Sequence, residues 1–188
     1  MSKKQFNYTI EPWVTTKERV EYTTNIFKVL TRDMKIESED HSATFSIVAA
    51  PDWINVIALT DENEIVLVEQ YRYGIEKPTL ELPGGMVDEG EHPRETSIRE
   101  LKEETGFEGT DIINLGKVSS NPAMLTNYTH TYLIKGCRKI TDQNLDGNER
   151  INVHVTPLQD FLDLVADGQV HHSLVVAAVA KYLLFGER

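Results

Sequence analysis

The chain has 188 residues, 40% hydrophobic and 26% charged, a balance that supports one packed core and excludes a disordered protein. Thirty acidic against nineteen basic residues leave a formal charge of −11, which repels nucleic-acid backbones and excludes a broad phosphate-tracking surface. The single cysteine, Cys137, cannot close an internal disulfide and is expected to be buried, and no apolar run approaches the ~20 residues that span a bilayer.

In chain order, the N-terminus "MSKKQFNYTIEPW" lacks the apolar stretch of an export signal, so a cytoplasmic location is expected. Residues 6–50 alternate loosely between polar and apolar and are rich in β-branched and aromatic side chains, which predicts an N-terminal antiparallel meander. "WINVIALT" and "IVLVEQYRYG" are stronger strands, and the turn "DENE" between them predicts a hairpin. "TLELPGG" reads as a short strand running into a glycine loop. Pro93 to Thr105 is a helix bracketed by proline at its first position and Gly106 just past its end. "IINLGKVS", "THTYLIKGC" and "INVHVTPL" are further strands, with a long loop from Thr141 to Arg150 before the last. "LQDFLDLVADG", closed by Gly168, and "HHSLVVAAVAKYLLFG" are helices. His171 and His172 mark the start of the second, because neighbouring helical residues point about 100° apart and cannot share a metal. Strands and helices mix without regular βα alternation, which predicts an α/β fold with a mixed sheet covered by helices.

The helix at 93–105 raises the chemical question. On a helical wheel, Leu101 falls about 60° from Ile98 and completes an apolar flank. Glu103, Glu100 and Glu104 all fall on the side away from Ile98, within an arc of about 100°. Three carboxylates share one face in the last turns, where they repel one another and oppose the helix dipole. A hard divalent cation, which prefers oxygen ligands, reverses that penalty, and the preceding Gly84-Gly85 turn is able to bring backbone carbonyls close.

Gly85, Glu91 and the run Arg99-Glu100-Leu101-Lys102-Glu103-Glu104-Thr105-Gly106-Phe107 occupy every specified position of the Nudix box, so the chain resembles the Nudix hydrolases. That resemblance implies a Nudix-type α/β/α sandwich. It divides the chain into an N-terminal β extension, residues 1–45, which dimerises, and a Nudix hydrolase domain, residues 46–188. It also implies that the carbonyl of Gly84 with Glu100, Glu103 and Glu104 holds metal, Mg²⁺ or Mn²⁺, Glu103 acting as a ligand or as the group that orients water. Arg99 pairs with Glu103 and fixes its direction, and Glu91 braces the loop against the helix or adds a metal contact.

The flanks resemble the ADP-ribose and nucleoside-diphosphate-sugar pyrophosphatase subgroup. Pro122 lies fifteen residues beyond Phe107, and "EQYRYG" with "LELPGG" resembles the subgroup's pattern in which an arginine, here Arg72, reaches the substrate's phosphates. Met86 and Asn121 are candidates for lining the pocket. "LDGNERINVHV" resembles the subgroup's acidic loop and offers Glu149 as general base, with Asp146 and Glu103 behind it; a second acid expected two residues before Glu149 is Gly147 here. Phe45 is either a core residue or the aromatic that stacks on the base across a homodimer with exchanged N-terminal strands. The implied reaction is metal-dependent hydrolysis of ADP-ribose or a nucleotide sugar such as GDP-mannose to a nucleoside monophosphate and a sugar phosphate. The alternatives are hydrolysis of nucleoside triphosphates or dinucleoside polyphosphates and, in another class, a non-catalytic nucleotide-sugar sensor.

Overall fold

A computed structural model describes residues 5–186. The predicted meander is present: β1 (Val14–Thr23), β2 (Lys28–Ile36) and β3 (His41–Ala49) pair in that order as an antiparallel sheet. The turn between the first two is closed by the Thr24 hydroxyl, which accepts from the Ile26 and Phe27 N–H groups at 3.1 and 2.9 Å. A distant segment, Asn121–Thr126, joins this unit by adding to β3: the Val48 N–H donates to the Met124 carbonyl at 2.8 Å and the Thr126 N–H to the Val48 carbonyl at 3.1 Å.

The rest of the chain forms a second unit around a mixed sheet. Its strands are β4 (Trp53–Leu59), β5 (Glu64–Arg72), β6 (Lys77–Glu81), β8 (Asp111–Ser119), β9 (Tyr128–Lys135) and β11 (Ile151–Pro157). They run in the order β11-β5-β4-β9-β8, with β6 also on β5, and β4 and β9 are the parallel pair. A two-stranded ribbon of β7 (Phe107–Glu108) and β10 (Arg138–Lys139), too short to show a strand pattern, was not expected from the sequence.

Alternation along the strands divides the interior in two. Ile57, Leu59, Ile65, Leu67 and Leu133 point to the face covered by α2 (Leu158–Ala166) and α3 (Ser173–Gly186), where Phe161, Val175 and Ala178 meet them. Ile54, Val56, Ala58, Val66, Tyr132 and Ile134 point to the opposite face, under α1 (Pro93–Thr105) and its Leu101. A sheet buried on both faces accounts for the continuous apolar runs of β4 and β5. Among the described residues no helix is long and apolar enough to cross a membrane.

The helix ends follow their local chemistry. At α1, the His92 imidazole accepts from the Arg94 N–H at 3.2 Å, Pro93 opens the first turn, and Gly106 at φ 76° donates its N–H to the Lys102 carbonyl. At α3, His172 does what the sequence suggested, its Nδ1 accepting from the Leu174 N–H at 3.3 Å.

The predicted β4–β5 hairpin pairs only at its turn end, through Ala58–Val66 and Leu59–Ile65. Beyond that the strands separate, and the chain after β6 runs along β4 instead. The Val56 N–H donates to the Pro83 carbonyl at 2.8 Å, the Ile54 N–H to the Gly85 carbonyl at 2.9 Å, and the Val87 N–H to the Asp52 carbonyl at 2.9 Å. The glycine loop is thereby held on the sheet directly beside α1.

Candidate active site

Gly84 approaches β4 so closely that a Cβ there would lie 2.2 Å from the Ile54 carbonyl oxygen, and a Cβ on Gly85 would lie 2.3 Å from a Glu100 carboxylate oxygen. The two glycines let the loop press against strand and helix at once. The carbonyls of Pro83 and Gly85 accept from the N–H groups of Val56 and Ile54, and Gly84 lies between them. Its N–H donates to Glu104 Oε2 at 2.8 Å.

Burial on α1 is shifted from the apolar flank of the wheel toward the acids. Leu101 is buried, but Ile98 is only partly so, and Glu104 is buried to 4% exposure. Burial, with repulsion from Glu100 and Glu149 and only partial relief from the Gly84 N–H and Arg72, pushes the Glu104 carboxyl up to about 8. Burial also raises Glu100, against the opposing pull of Arg99.

Arg99 is the cation of this face. Its Nε and Nη2 donate to the two oxygens of Glu91, both at 3.0 Å, and its Nη1 donates to Glu100 at 2.8 Å and to Glu103 at 3.0 Å. Those bonds hold Glu91 down at about 2. Glu91 also accepts from the Thr96 hydroxyl at 2.8 Å, so it ties the loop to the helix.

The loop bearing Glu149 is fastened to the C-terminal end of the same helix. Gln143 Nε2 donates to the Glu104 carbonyl at 2.6 Å and to the Ile151 carbonyl at 3.2 Å, and the Asn144 N–H donates to the Glu103 carbonyl at 2.8 Å. Glu149 closes its own turn, accepting from the Asp146 N–H at 3.0 Å, and its charge is felt by both Glu100 and Glu104. Gly147 in the same turn meets nothing within 4 Å of its missing Cβ.

Arg72, at the end of β5, is not free. Its Nε and Nη2 donate to the two oxygens of Glu81 at 2.7 Å, and the Thr79 hydroxyl adds a third bond at 2.5 Å. Burial pushes Glu81 up, but these donors outweigh it and its pKa is lowered. Arg72 also senses the charge of Glu104, which places the guanidinium beside the acidic face. Glu81 was given no role in the sequence reading. Its signal was an acid between Leu80 and Leu82 in a strand whose hairpin partner ends in Arg72.

The remaining candidates distribute unevenly. Met86 is half-buried and bridges to Trp53. Asn121 and Phe45 belong to the other unit. Asn121 closes its own turn, accepting from the Met124 and Leu125 N–H groups at 3.1 and 2.8 Å. The core reading of Phe45 does not hold within the chain: the residue is 38% exposed and its ring meets Trp13 edge-on, with centroids 5.2 Å apart. Cys137 is buried as expected, and burial raises its thiol to about 11.

Two carboxylates, Glu104 buried and Glu100 half-buried, whose charges are opposed by desolvation and by each other form a site short of positive charge, and their hard oxygen donors fit a divalent cation. Among the described residues no three acidic, imidazole or thiol groups converge into a ready-made cage, since Glu100 and Glu103 turn onto Arg99 and Glu104 onto Gly84.

A mixed sheet carrying a glycine loop and an acidic helix in this arrangement defines a Nudix domain, and residues 51–178 match the family model described as NUDIX domain. The chain belongs to the Nudix family. It is 33% identical over 174 residues to the methanol dehydrogenase activator of Bacillus methanolicus, covering 92% of this chain and 93% of that one. It is 31% identical over 142 residues to the ADP-ribose pyrophosphatase of Bacillus subtilis strain 168, covering 75% and 76%. Among solved structures, that of an ADP compounds hydrolase superposes with a TM-score of 0.81 at 20% identity, covering 95% of this chain and 96% of that one, a likeness of fold.

Proposed function

We propose that the chain hydrolyses the pyrophosphate bond of ADP-ribose or a related nucleoside-diphosphate sugar, with Mg²⁺ as its cation. The observation that carries this reading is the pair of a buried Glu104 and a half-buried Glu100 beside the glycine loop, flanked by Arg72. The name of the Bacillus subtilis relative supplies the substrate class.

Gly84 through its carbonyl, Glu100, Glu103 and Glu104 would hold the cations, which when bound would supply charge to neutralise the diphosphate and acidify water. Glu149 takes the proton from the attacking water, and Asp146, which closes the same turn, fixes its direction. Arg99 keeps Glu100 and Glu103 oriented. Arg72, held rigid by Glu81, binds the phosphate oxygens with the N–H groups that Glu81 leaves free.

Incubating the protein and Mg²⁺ with ADP-ribose, GDP-mannose, nucleoside triphosphates and dinucleoside polyphosphates, with identification of the products, tests this. Release of AMP and ribose 5-phosphate from ADP-ribose is the expected result. Turnover of triphosphates alone would replace it with the clean-up alternative, and no turnover of any compound would favour the sensor.

The protein acts as a homodimer through its N-terminal sheet. What supports this is the state of that unit: Val20, Tyr22, Ile26, Phe27 and Phe45 are exposed, and Leu30 is its buried core residue. Three strands with so little core need a covered apolar face. Sedimentation equilibrium is expected to give twice the chain mass, and Tyr22→Lys with Val20→Glu to shift it toward the monomer. A wild-type chain that sediments as a monomer at micromolar concentration removes the dimer.

A further inference from the structure

A cavity of about 440 Å³ opens beside Arg72 and contains none of the metal-holding carboxylates. Trp53, Arg72, Ile75, Thr79, His172 and Ser173 line it. Its chemistry is one-sided. The one buried carboxylate behind it, Glu81, is filled by Arg72 and Thr79. Arg72 therefore keeps Nη1 for a ligand.

His172 supplies a second donor. Its Nδ1 accepts from the Leu174 N–H, so the neutral ring carries its proton on Nε2, and that atom stands 4.0 Å from Glu81 Oε2, beyond a hydrogen bond. Burial favours this neutral form. The indole Nε1–H of Trp53 is a third donor, buried with no partner among the described residues. A buried N–H without an acceptor is unfavourable, and a ligand oxygen would relieve it once a turn of the ring uncovers the atom.

These side chains call for a ligand rich in acceptors, with an apolar flank to lie against Ile75 and the Trp53 ring. A sugar phosphate meets that description. An adenine base fits less well, because it carries no negative charge for Arg72 and its exocyclic amino group would meet only the Thr79 and Ser173 hydroxyls.

Resting on the reading above, we propose that this cavity holds the sugar-phosphate half of the substrate, and that His172 and Trp53 are specificity-determining residues for that half. Arg72, shared between the cavity wall and the acidic face, joins the two halves of the site.

The test uses the protein's two tryptophans. With Trp13→Phe, in the other unit, Trp53 becomes the single indole and reports on the cavity directly. Titration with ribose 5-phosphate is expected to change its fluorescence, and titration with AMP is expected to change it far less. His172→Asn keeps a helix-capping oxygen but withdraws the Nε2–H, so ribose 5-phosphate is expected to bind about tenfold more weakly, with AMP inhibition unchanged. His172→Gln, which restores a donor at longer reach, is expected to recover part of the loss.

The proposal is overturned if ribose 5-phosphate leaves Trp53 fluorescence unchanged, or if AMP is the compound that perturbs it. Because the titration needs no turnover, sugar-phosphate binding lost in His172→Asn would stand even if ADP-ribose proved not to be hydrolysed. Hydrolysis without such binding would remove only the assignment of the cavity.

Discussion

Replacing Glu104 with Gln is expected to stabilise the metal-free protein at pH 9 while lowering pyrophosphatase activity by more than about a hundredfold, the upper range for loss of a group merely supporting a metal ligand. The stability effect follows from linkage. The Glu104 carboxyl stands at about 8 in the folded protein against an ordinary value of 4.5, so the folded state holds a proton that the unfolded state has released over that interval. The stability contributed by this proton is fully present below pH 4.5 and is lost as the pH rises through about 8. Gln imitates the protonated acid and its amide oxygen still accepts from the Gly84 N–H.

Wild type and variant should therefore melt together at about pH 4 in EDTA, below the ordinary carboxyl value. At pH 9 the variant should lead by on the order of 3 kcal/mol, roughly 6–12 °C. Added Mg²⁺ is expected to raise the wild-type Tm at pH 9 and to leave the variant nearly unchanged. A Glu104→Gln protein that melts below wild type at pH 9 would contradict the placement of a strained, cation-seeking carboxylate at this position.

Arg99→Ala is expected to have the second large effect, on stability and activity together. It removes four hydrogen bonds of 3.0 Å or shorter and leaves Glu91, Glu100 and Glu103 facing one another without a cation. Breaking a fully buried ion pair costs about 3–5 kcal/mol; Arg99 keeps 31% side-chain exposure, so solvent screens part of this and about 2 kcal/mol is the fitting figure. The Tm should fall by about 4–8 °C. Activity should fall with it, because Glu100 and Glu103 lose their orientation.

Arg99→Lys should recover little, since a single ammonium cannot reproduce the paired bonds to Glu91 while reaching the other two carboxylates. Melting curves and kcat on the same samples check both parts. An Arg99→Lys protein equal to wild type in Tm and kcat would show that charge alone, without the planar fork, organises this face.

Local rules carried the sequence reading where a short stretch contains its own cause. Pro93 and Gly106 bound α1 because first-turn and left-handed positions favour those residues whatever surrounds them. β4 and β5 were legible as apolar runs, and Glu100, Glu103 and Glu104 were placed on one face by helical period alone. What the wheel could not supply was depth. Glu104 is buried and Ile98 only partly so, because the glycine loop and the sheet close over α1 from the acidic side.

By itself the sequence determined the box, its helix and the clustering of negative charge, all of which are properties of neighbours along the chain. Only the tertiary structure decided how that charge is opposed. Glu81 clamps Arg72 across a hairpin, Gln143 ties the Glu149 loop to the end of α1, and His172 comes from the far end of the chain to stand near Glu81. Such pairings depend on strand register and on loops closing over long separations, where the preferences of adjacent residues carry no information about which partner each side chain meets.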